Sequence, residues 1–278
     1  MITLKSGKKI QFLLSSGMMG FNGDGPTKFH KIIYYFLEGF GLFQPNLFSI
    51  VLKTISLEKI SGPRKIRPID HGWWNNYGLG NPGLYSFLDR YAAKIKEKNN
   101  LIISIFVRNT EQLKVFIENI SFHFSNILAV ELNISCSNFK EEKFDDPNFV
   151  EELVSFWNYM APTIPLILKV GEQNDCIRIA KITEGMIDAL DINSIARDSG
   201  AHSGEVAQIT NWQILKSMAE NTSTPIIGPS VWHYRDIEKL FDLGAKAISF
   251  GSISMIHPKR PWGPILPNLY VRKFIRGE

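Results

Sequence analysis

Cysteine is nearly absent, with Cys136 and Cys176 the two thiols in 278 residues. Two are too few for a disulfide framework or for an iron–sulfur cluster, and they fit a reducing compartment. Histidine is sparse and scattered: His30, His71, His123, His202, His233 and His257 include no pair four residues apart around a glutamate, so no metal site is expected. Long runs of one charge are also missing. The 31 basic residues are interspersed with 27 acidic ones for a net charge of +4, which leaves no stripe for nucleic acid. No apolar stretch reaches the roughly 20 residues of a membrane span. The candidate from Gly39 to Leu52 is broken by Gln44, Pro45 and Asn46. The first residues alternate polar and apolar and lack the apolar centre of a signal peptide, so a soluble, cytoplasmic chain without a membrane partner is expected.

What is present is a core-forming composition, 44% hydrophobic, in a length that suits one domain spanning 1–278. Short β-rich apolar runs alternate with amphipathic segments, the pattern of parallel strands joined by helices. Eight strands are expected at 12–16, 49–54, 102–107, 129–134, 166–170, 189–193, 225–228 and 247–251. Helical stretches are expected at 27–40, 84–98, 109–123, 147–160, 174–185, 210–219, 233–243 and 264–276. In the third of these, Leu113, Phe116, Ile117 and Ile120 recur at steps of three and four, as one buried face requires. The count of eight predicts an α/β fold of the (β/α)₈ TIM-barrel type over a doubly wound open sheet. Residues 55–83 stand apart: rich in glycine and proline yet carrying Trp73, Trp74 and Tyr77, they predict a long ordered loop.

A barrel of this kind builds its active site on the loops after the carboxyl ends of the strands. Those positions hold Ser16-Gly17, Lys53-Thr54, the segment Asn133-Ile134-Ser135-Cys136-Ser137-Asn138, Lys169, Asn193-Ser194, Gly228 and Gly251-Ser252. Lys53 and Lys169 at strand ends suit an anionic cofactor or substrate, although either alone reads equally as a surface lysine. Asn75, Asn133, Asn138 and Asn193 supply donors and acceptors for a ring of alternating C=O and N–H groups. Cys136, in a polar loop, is a candidate base or nucleophile, and a small buried hydrophobe on the bland reading. Gly204, the Gly228-Pro229-Ser230 turn and Gly251-Ser252 offer backbone amides for a phosphate between the seventh and eighth strands.

With these positions laid out, the chain resembles the dihydroorotate dehydrogenase family almost end to end. The specific pieces are Lys53-Thr54-Ile55-Ser56-Leu57-Glu58 with Gly62-Pro63-Arg64; Asn75-Asn76-Tyr77-Gly78-Leu79-Gly80-Asn81-Pro82-Gly83; Ser104-Ile105-Phe106; and Glu131 through Asn138. The resemblance implies an FMN-dependent oxidation of dihydroorotate to orotate in pyrimidine synthesis, with Cys136 as the base at C5, like the soluble class 1 enzymes, and Lys53 beside flavin and substrate. It implies that Asn75, Tyr77, Gly78, Leu79, Asn133, Asn138, Asn193 and Ser194 bind substrate. It assigns Ser16, Gly17, Lys53, Thr54, Asn133, Lys169, Gly204, Gly228, Ser230, Gly251 and Ser252 to FMN. A homodimer, and electron transfer to a small acceptor or a partner subunit, are also implied.

Two departures stand out. Cys136-Ser137-Asn138 replaces the family's Cys-Pro-Asn, and Gly228-Pro229-Ser230-Val231 replaces its paired glycines at the phosphate turn, with Ser230 Oγ as a compensating donor. A flavin enzyme for another dihydropyrimidine and an inactive ligand-binding barrel are the alternatives.

Overall fold

The computed structural model describes residues 1–63, 65–135, 142–197 and 200–278. In chain order the strands and α-helices are β1 (Ile2–Thr3), β2 (Lys9–Ile10), β3 (Phe12–Leu14), α1 (Lys28–Gly39), β4 (Ser49–Val51), β5 (Lys65–Ile69), β6 (Gly72–Asn76), α2 (Leu84–Lys96), β7 (Leu101–Ile105), α3 (Thr110–His123) and β8 (Ala129–Asn133). There follow α4 (Pro147–Met160), β9 (Leu166–Val170), α5 (Cys176–Ile182), β10 (Ala189–Ile192), β11 (Ile195–Arg197), β12 (Gly200–Gly204), α6 (Gln208–Ala219), β13 (Ile226–Gly228), α7 (Asp236–Asp242), β14 (Ala247–Phe250) and α8 (Leu266–Arg276).

Strands β3, β4, β7, β8, β9, β10, β13 and β14 close into a parallel barrel, each paired with the next and β14 with β3. The expected (β/α)₈ architecture is therefore present, its strands and helices within a few residues of the expected bounds. Helix ends follow the side chains available: Asn109 caps α3 by accepting from Gln112 N at 2.9 Å, and Asp146 caps α4 just before Pro147. The four periodic residues of α3 are all buried.

Period-two alternation divides the strand residues into two sets. Leu14, Ile50, Leu52, Ile103, Leu132, Leu168, Leu190, Ile248 and their like form the large cluster between barrel and helices. The alternate residues Leu13, Val51, Ile102, Ala129, Ile167, Ala189, Ile227 and Ala247 form a separate cluster with Ile2, Leu4 and Ile10 of the β1–β2 hairpin. This second cluster is the floor of the barrel. One inward step nearer the carboxyl ends, the same strands carry Ser15, Lys53, Ser104, Glu131, Lys169, Asp191 and Ser249, so the interior turns from aliphatic to polar within two residues.

Over its described residues the excursion at 55–83 is ordered, as expected, but it is not only loop. It contributes the hairpin β5–β6, which continues through β12 to β11 as a four-stranded antiparallel sheet beside the barrel mouth. Pro68 lies in β5, an edge strand, where its missing N–H costs no ladder bond. His257 pins this sheet to the barrel. Its Nδ1 accepts from Lys259 N, its Nε2 donates to Ile69 O at 3.0 Å, and its ring sits edge-on to Trp73 and Trp232.

Candidate active site

A cavity of about 600 Å³ opens at the carboxyl ends of the strands, beneath the four-stranded sheet, a size that accommodates a cofactor-sized molecule. Of the sequence-assigned residues, Ser16, Gly17, Lys53, Thr54, Asn75, Tyr77 and Leu79 line its near side. Asn133, Lys169, Asn193, Ser194, Gly204, Ser230, Gly251 and Ser252 line the rest. Gly78 and Gly228 do not line it. A Cβ on Gly228 would meet Ala245, Leu240 and Ile248 at 3.0–3.3 Å, so this glycine allows close packing of strand on helix. Gly78 and Leu79 have φ of +60° and +56°, and Gly80 N donates to Tyr77 O, which is the pattern of a type I′ turn presenting Tyr77 and Leu79 to the cavity. Cys136, Ser137 and Asn138 lie outside the described residues, as does Arg64.

The approach to Cys136 is nonetheless fixed. Asn133 Oδ1 accepts from both Ser135 N and Ser135 Oγ, at 3.1 and 2.9 Å, and its Nδ2 donates to Thr54 Oγ1 at 3.0 Å. From the next strand but one, Asn193 Nδ2 donates to Ser135 O at 2.9 Å. Two of the asparagines thus hold the backbone that leads into the loop, an Asx-type arrangement that the residue pattern alone does not reveal. Lys53 Nζ stands 3.9 Å from the Tyr77 ring centroid, a cation–π contact that directs its ammonium across the mouth.

Below the cavity runs a buried chain of polar contacts. Ser16 Oγ meets Thr54 Oγ1, Thr54 Oγ1 meets Ser104 Oγ at 2.8 Å, and Ser104 Oγ donates to Glu131 Oε1 at 2.6 Å. Lys169 Nζ lies 2.7 Å from Asp191 Oδ2 and 3.5 Å from Glu131 Oε2. Burial pushes the Glu131 carboxyl up, to about 7, with Lys169 pulling it down and Asp191 adding to the rise. Burial opposes the charge of Lys169, but Asp191 and then Glu131 outweigh it and raise the ammonium above its ordinary value. Neither carboxylate was singled out from the sequence for a role. The available signal was parity, because an acid two residues along a buried strand from an inward aliphatic faces inward too.

Among curated proteins, the chain is 26% identical over 234 residues to the catalytic subunit of dihydroorotate dehydrogenase B (NAD⁺) from Caldicellulosiruptor saccharolyticus, covering 76% of this chain and 77% of that one. The corresponding subunit from Fusobacterium nucleatum is 26% identical over 237 residues, covering 77% of each. Over about three quarters of its length the chain is similar to these dihydroorotate dehydrogenase catalytic subunits. Among solved structures, the dihydroorotate dehydrogenase of Eimeria tenella superposes with a TM-score of 0.66 at 15% identity over 82% of this chain and 76% of that one, and shares its fold. A tryptophan synthase complex from Pyrococcus furiosus reaches 0.55 at 11% identity, covering 99% of this chain and 100% of that one. No protein-family profile matches.

In this chain the Gly228-Pro229-Ser230-Val231 turn is braced from behind. Ser230 adopts φ +65°, a strained value for serine. Helix α6 holds it there: Asn211 Nδ2 donates to Ser230 Oγ, Gln208 Nε2 to Ser230 O, and Trp212 Nε1 to Pro229 O, at 2.9–3.2 Å. Asp236 Oδ2 accepts from Trp232 N and His233 N, which closes the far side of the turn. Because Ser230 Oγ accepts from Asn211, its own proton is left to donate. Across the cavity, Gly204 has φ +97°, and a Cβ there would come within 2.8 Å of Gly72 Cα and 2.9 Å of His71 O. Gly204→Ala is therefore expected to destabilise the protein by about 1–3 kcal/mol, read by thermal or urea denaturation, since the strain falls on backbone that cannot yield. An unchanged midpoint would show that the sheet shifts freely.

The second thiol is structural. Cys176 is buried, its Sγ–H donates to Gly171 O at 3.2 Å, and burial, then the charge of Asp175, pushes its pKa up to about 12. No helix among the described residues is long and apolar enough to cross a membrane.

Proposed function

We propose that this chain oxidises (S)-dihydroorotate to orotate with FMN as the resident cofactor, in pyrimidine biosynthesis, acting as one catalytic domain over residues 1–278. The observation that carries the reading is the cavity itself: Lys53, Asn75, Asn133, Lys169 and Asn193 all line it, at the ends of separate strands or on the covering sheet. The catalytic-subunit naming of its relatives supports an electron acceptor beyond this chain, either a small molecule or a partner subunit.

The residues present fit FMN. At the end of the cavity between β13 and β14, the amides of Ser230, Val231, Gly251 and Ser252 carry no intramolecular hydrogen bond among the described residues. Ser254 Oγ, also on the lining, is buried there without a partner among the described residues. This is the donor-rich, acceptor-poor character that a phosphate needs. Ser230, Gly251 and Ser252 would hold the phosphate, Ser16, Gly17 and Thr54 the body of the flavin, and Lys169 and Lys53 its charge. When bound, the flavin supplies the acceptor for the hydride from C6 of the substrate.

The chain's own groups do the rest. Asn75, Asn133, Asn193 and Ser194 orient the pyrimidine ring through its alternating donors and acceptors, with Asn138 completing the set. The Tyr77–Leu79 turn shapes the end of the cavity beneath the covering sheet. Cys136 takes the proton from C5 as thiolate, at the end of a segment held by Asn133 and Asn193. Lys53, turned across the mouth by Tyr77, stabilises negative charge as it develops.

Two additions under anaerobic conditions test the reading. Purified protein is expected to retain yellow flavin and to bleach with dihydroorotate. Bleaching by dihydrouracil alone would reassign the substrate, and colourless protein that takes up no FMN would refute the cofactor.

A further inference from the structure

The site described above leaves one group of ionisable side chains without a duty. Glu131 and Asp191 both point at Lys169 inside a barrel whose next layer down is entirely aliphatic. Among the described residues, Lys169 and Asp191 are the charged groups that face Glu131, from β9 and β10. Ser104 on β7 is its neutral neighbour, and Thr54 stands behind Ser104. Two carboxylates on one ammonium leave an uncompensated negative charge among buried side chains. Asp191 Oδ1 is buried and has no hydrogen-bond partner among the described residues. The two carboxylates nevertheless converge on one ammonium, Asp191 Oδ2 at 2.7 Å from Lys169 Nζ and Glu131 Oε2 at 3.5 Å. A proton on Glu131 would satisfy both conditions at once, donating to Asp191 and bringing the triad to neutrality.

We propose that Glu131 and Asp191 act as one proton-holding pair that takes up a proton from solvent when a flavin held by Lys169 is reduced, and returns it on reoxidation. The inference rests on the flavin reading above. The balance is simple: the hydride from C6 carries two electrons and one proton to the flavin, the C5 proton goes to the base, and a solvent proton forms an O–H bond on the Glu131 carboxylate. Without that proton the reduced, anionic flavin would add its charge to an already negative triad. Glu131 and Asp191 do not touch the reacting atoms in this account; they act through Lys169 and set the charge it faces.

The test is the midpoint potential of the bound FMN as a function of pH. Each proton taken up with two electrons contributes about 30 mV per pH unit. The wild-type potential is expected to fall by about 30 mV per unit where Glu131 is already protonated, and by about 60 mV per unit above about pH 7, where it is not. A flavin titrating on its own bends the opposite way, shallower at high pH. In Glu131→Gln the steep limb should vanish, and in Asp191→Asn the break should move to lower pH. A wild-type line that is straight, or shallower at high pH, would overturn the proposal whatever the variants do.

A second measurement needs no cofactor. The folded carboxyl is raised above its ordinary 4.5, so the folded state holds a proton that the unfolded chain has released. Its stabilisation is complete below 4.5 and lost as pH rises through about 7. The apoprotein is expected to show that decline and Glu131→Gln to lack it. Failure to retain FMN would refute the flavin reading and the redox coupling with it, while an apoprotein without the decline would refute the shared proton itself.

Discussion

Replacing Lys169 by methionine is expected to destabilise the protein by about 3–5 kcal/mol, one of the largest single-site effects the barrel can show. The side chain is about as long as the original, so little packing is lost, and the effect isolates the charge. What remains is Glu131 and Asp191 facing each other in an aliphatic-floored interior, each with a relative exposure of 3% or less. Removing one partner of a buried ion pair strands the other, and because Glu131 can hold a proton the stranded charge rests on Asp191. The added substitution Asp191→Asn should recover most of the loss, because the stranded charge goes with it. Urea denaturation of the single and double variants reads both effects. A loss under about 1 kcal/mol for Lys169→Met would mean that water reaches the triad and screens it.

Cys136→Ala is expected to slow flavin reduction by dihydroorotate by about 10²–10⁴-fold with ligand binding preserved, the ordinary worth of a positioned base. The argument runs through its neighbours. Ser135, the residue before it, is fully buried and fixed by Asn133 and Asn193, an anchor that alanine at position 136 leaves intact. The rate is read by anaerobic stopped-flow bleaching, and orotate binding by its perturbation of the flavin spectrum. An unchanged rate would move the base elsewhere, with Lys53 the next group at the mouth. Loss of binding and rate together would instead mark the thiol as structural.

The barrel was legible because its strands are written in the plainest code available: runs such as Leu101-Ile102-Ile103-Ser104-Ile105 and Leu166-Ile167-Leu168-Lys169-Val170, each followed by a helix with a periodic face. The small sheet at the mouth was not. Its strands contain Pro68, Gly72 and Gly200, residues that argue against pairing unless the strand lies at an edge or another backbone comes close. Both conditions are tertiary: β5 is an edge, and a Cβ on Gly72 would strike Ser203 O.

The site divided in the same way. Strand-end residues such as Lys53, Asn133, Lys169 and Asn193 could be placed at the cavity because position on a barrel strand implies direction, and all four line it. Gly228 was assigned to the cavity by its neighbours in sequence, whereas its Cα faces helix α7 and the strand core. Asp191 was passed over because one acid in a strand of aliphatics reads as a boundary until its partner, from the adjacent strand, is known.

The aliphatic floor has a consequence for traffic. Among the described residues, packed side chains and the N-terminal hairpin close the barrel from below, so substrate and product of the proposed reaction share the opening beneath the small sheet. A shared doorway enforces turn-taking. With a small-molecule acceptor, orotate has to vacate before the acceptor can approach by the same route, and the two half-reactions become successive visits to one room rather than conversations through its opposite walls.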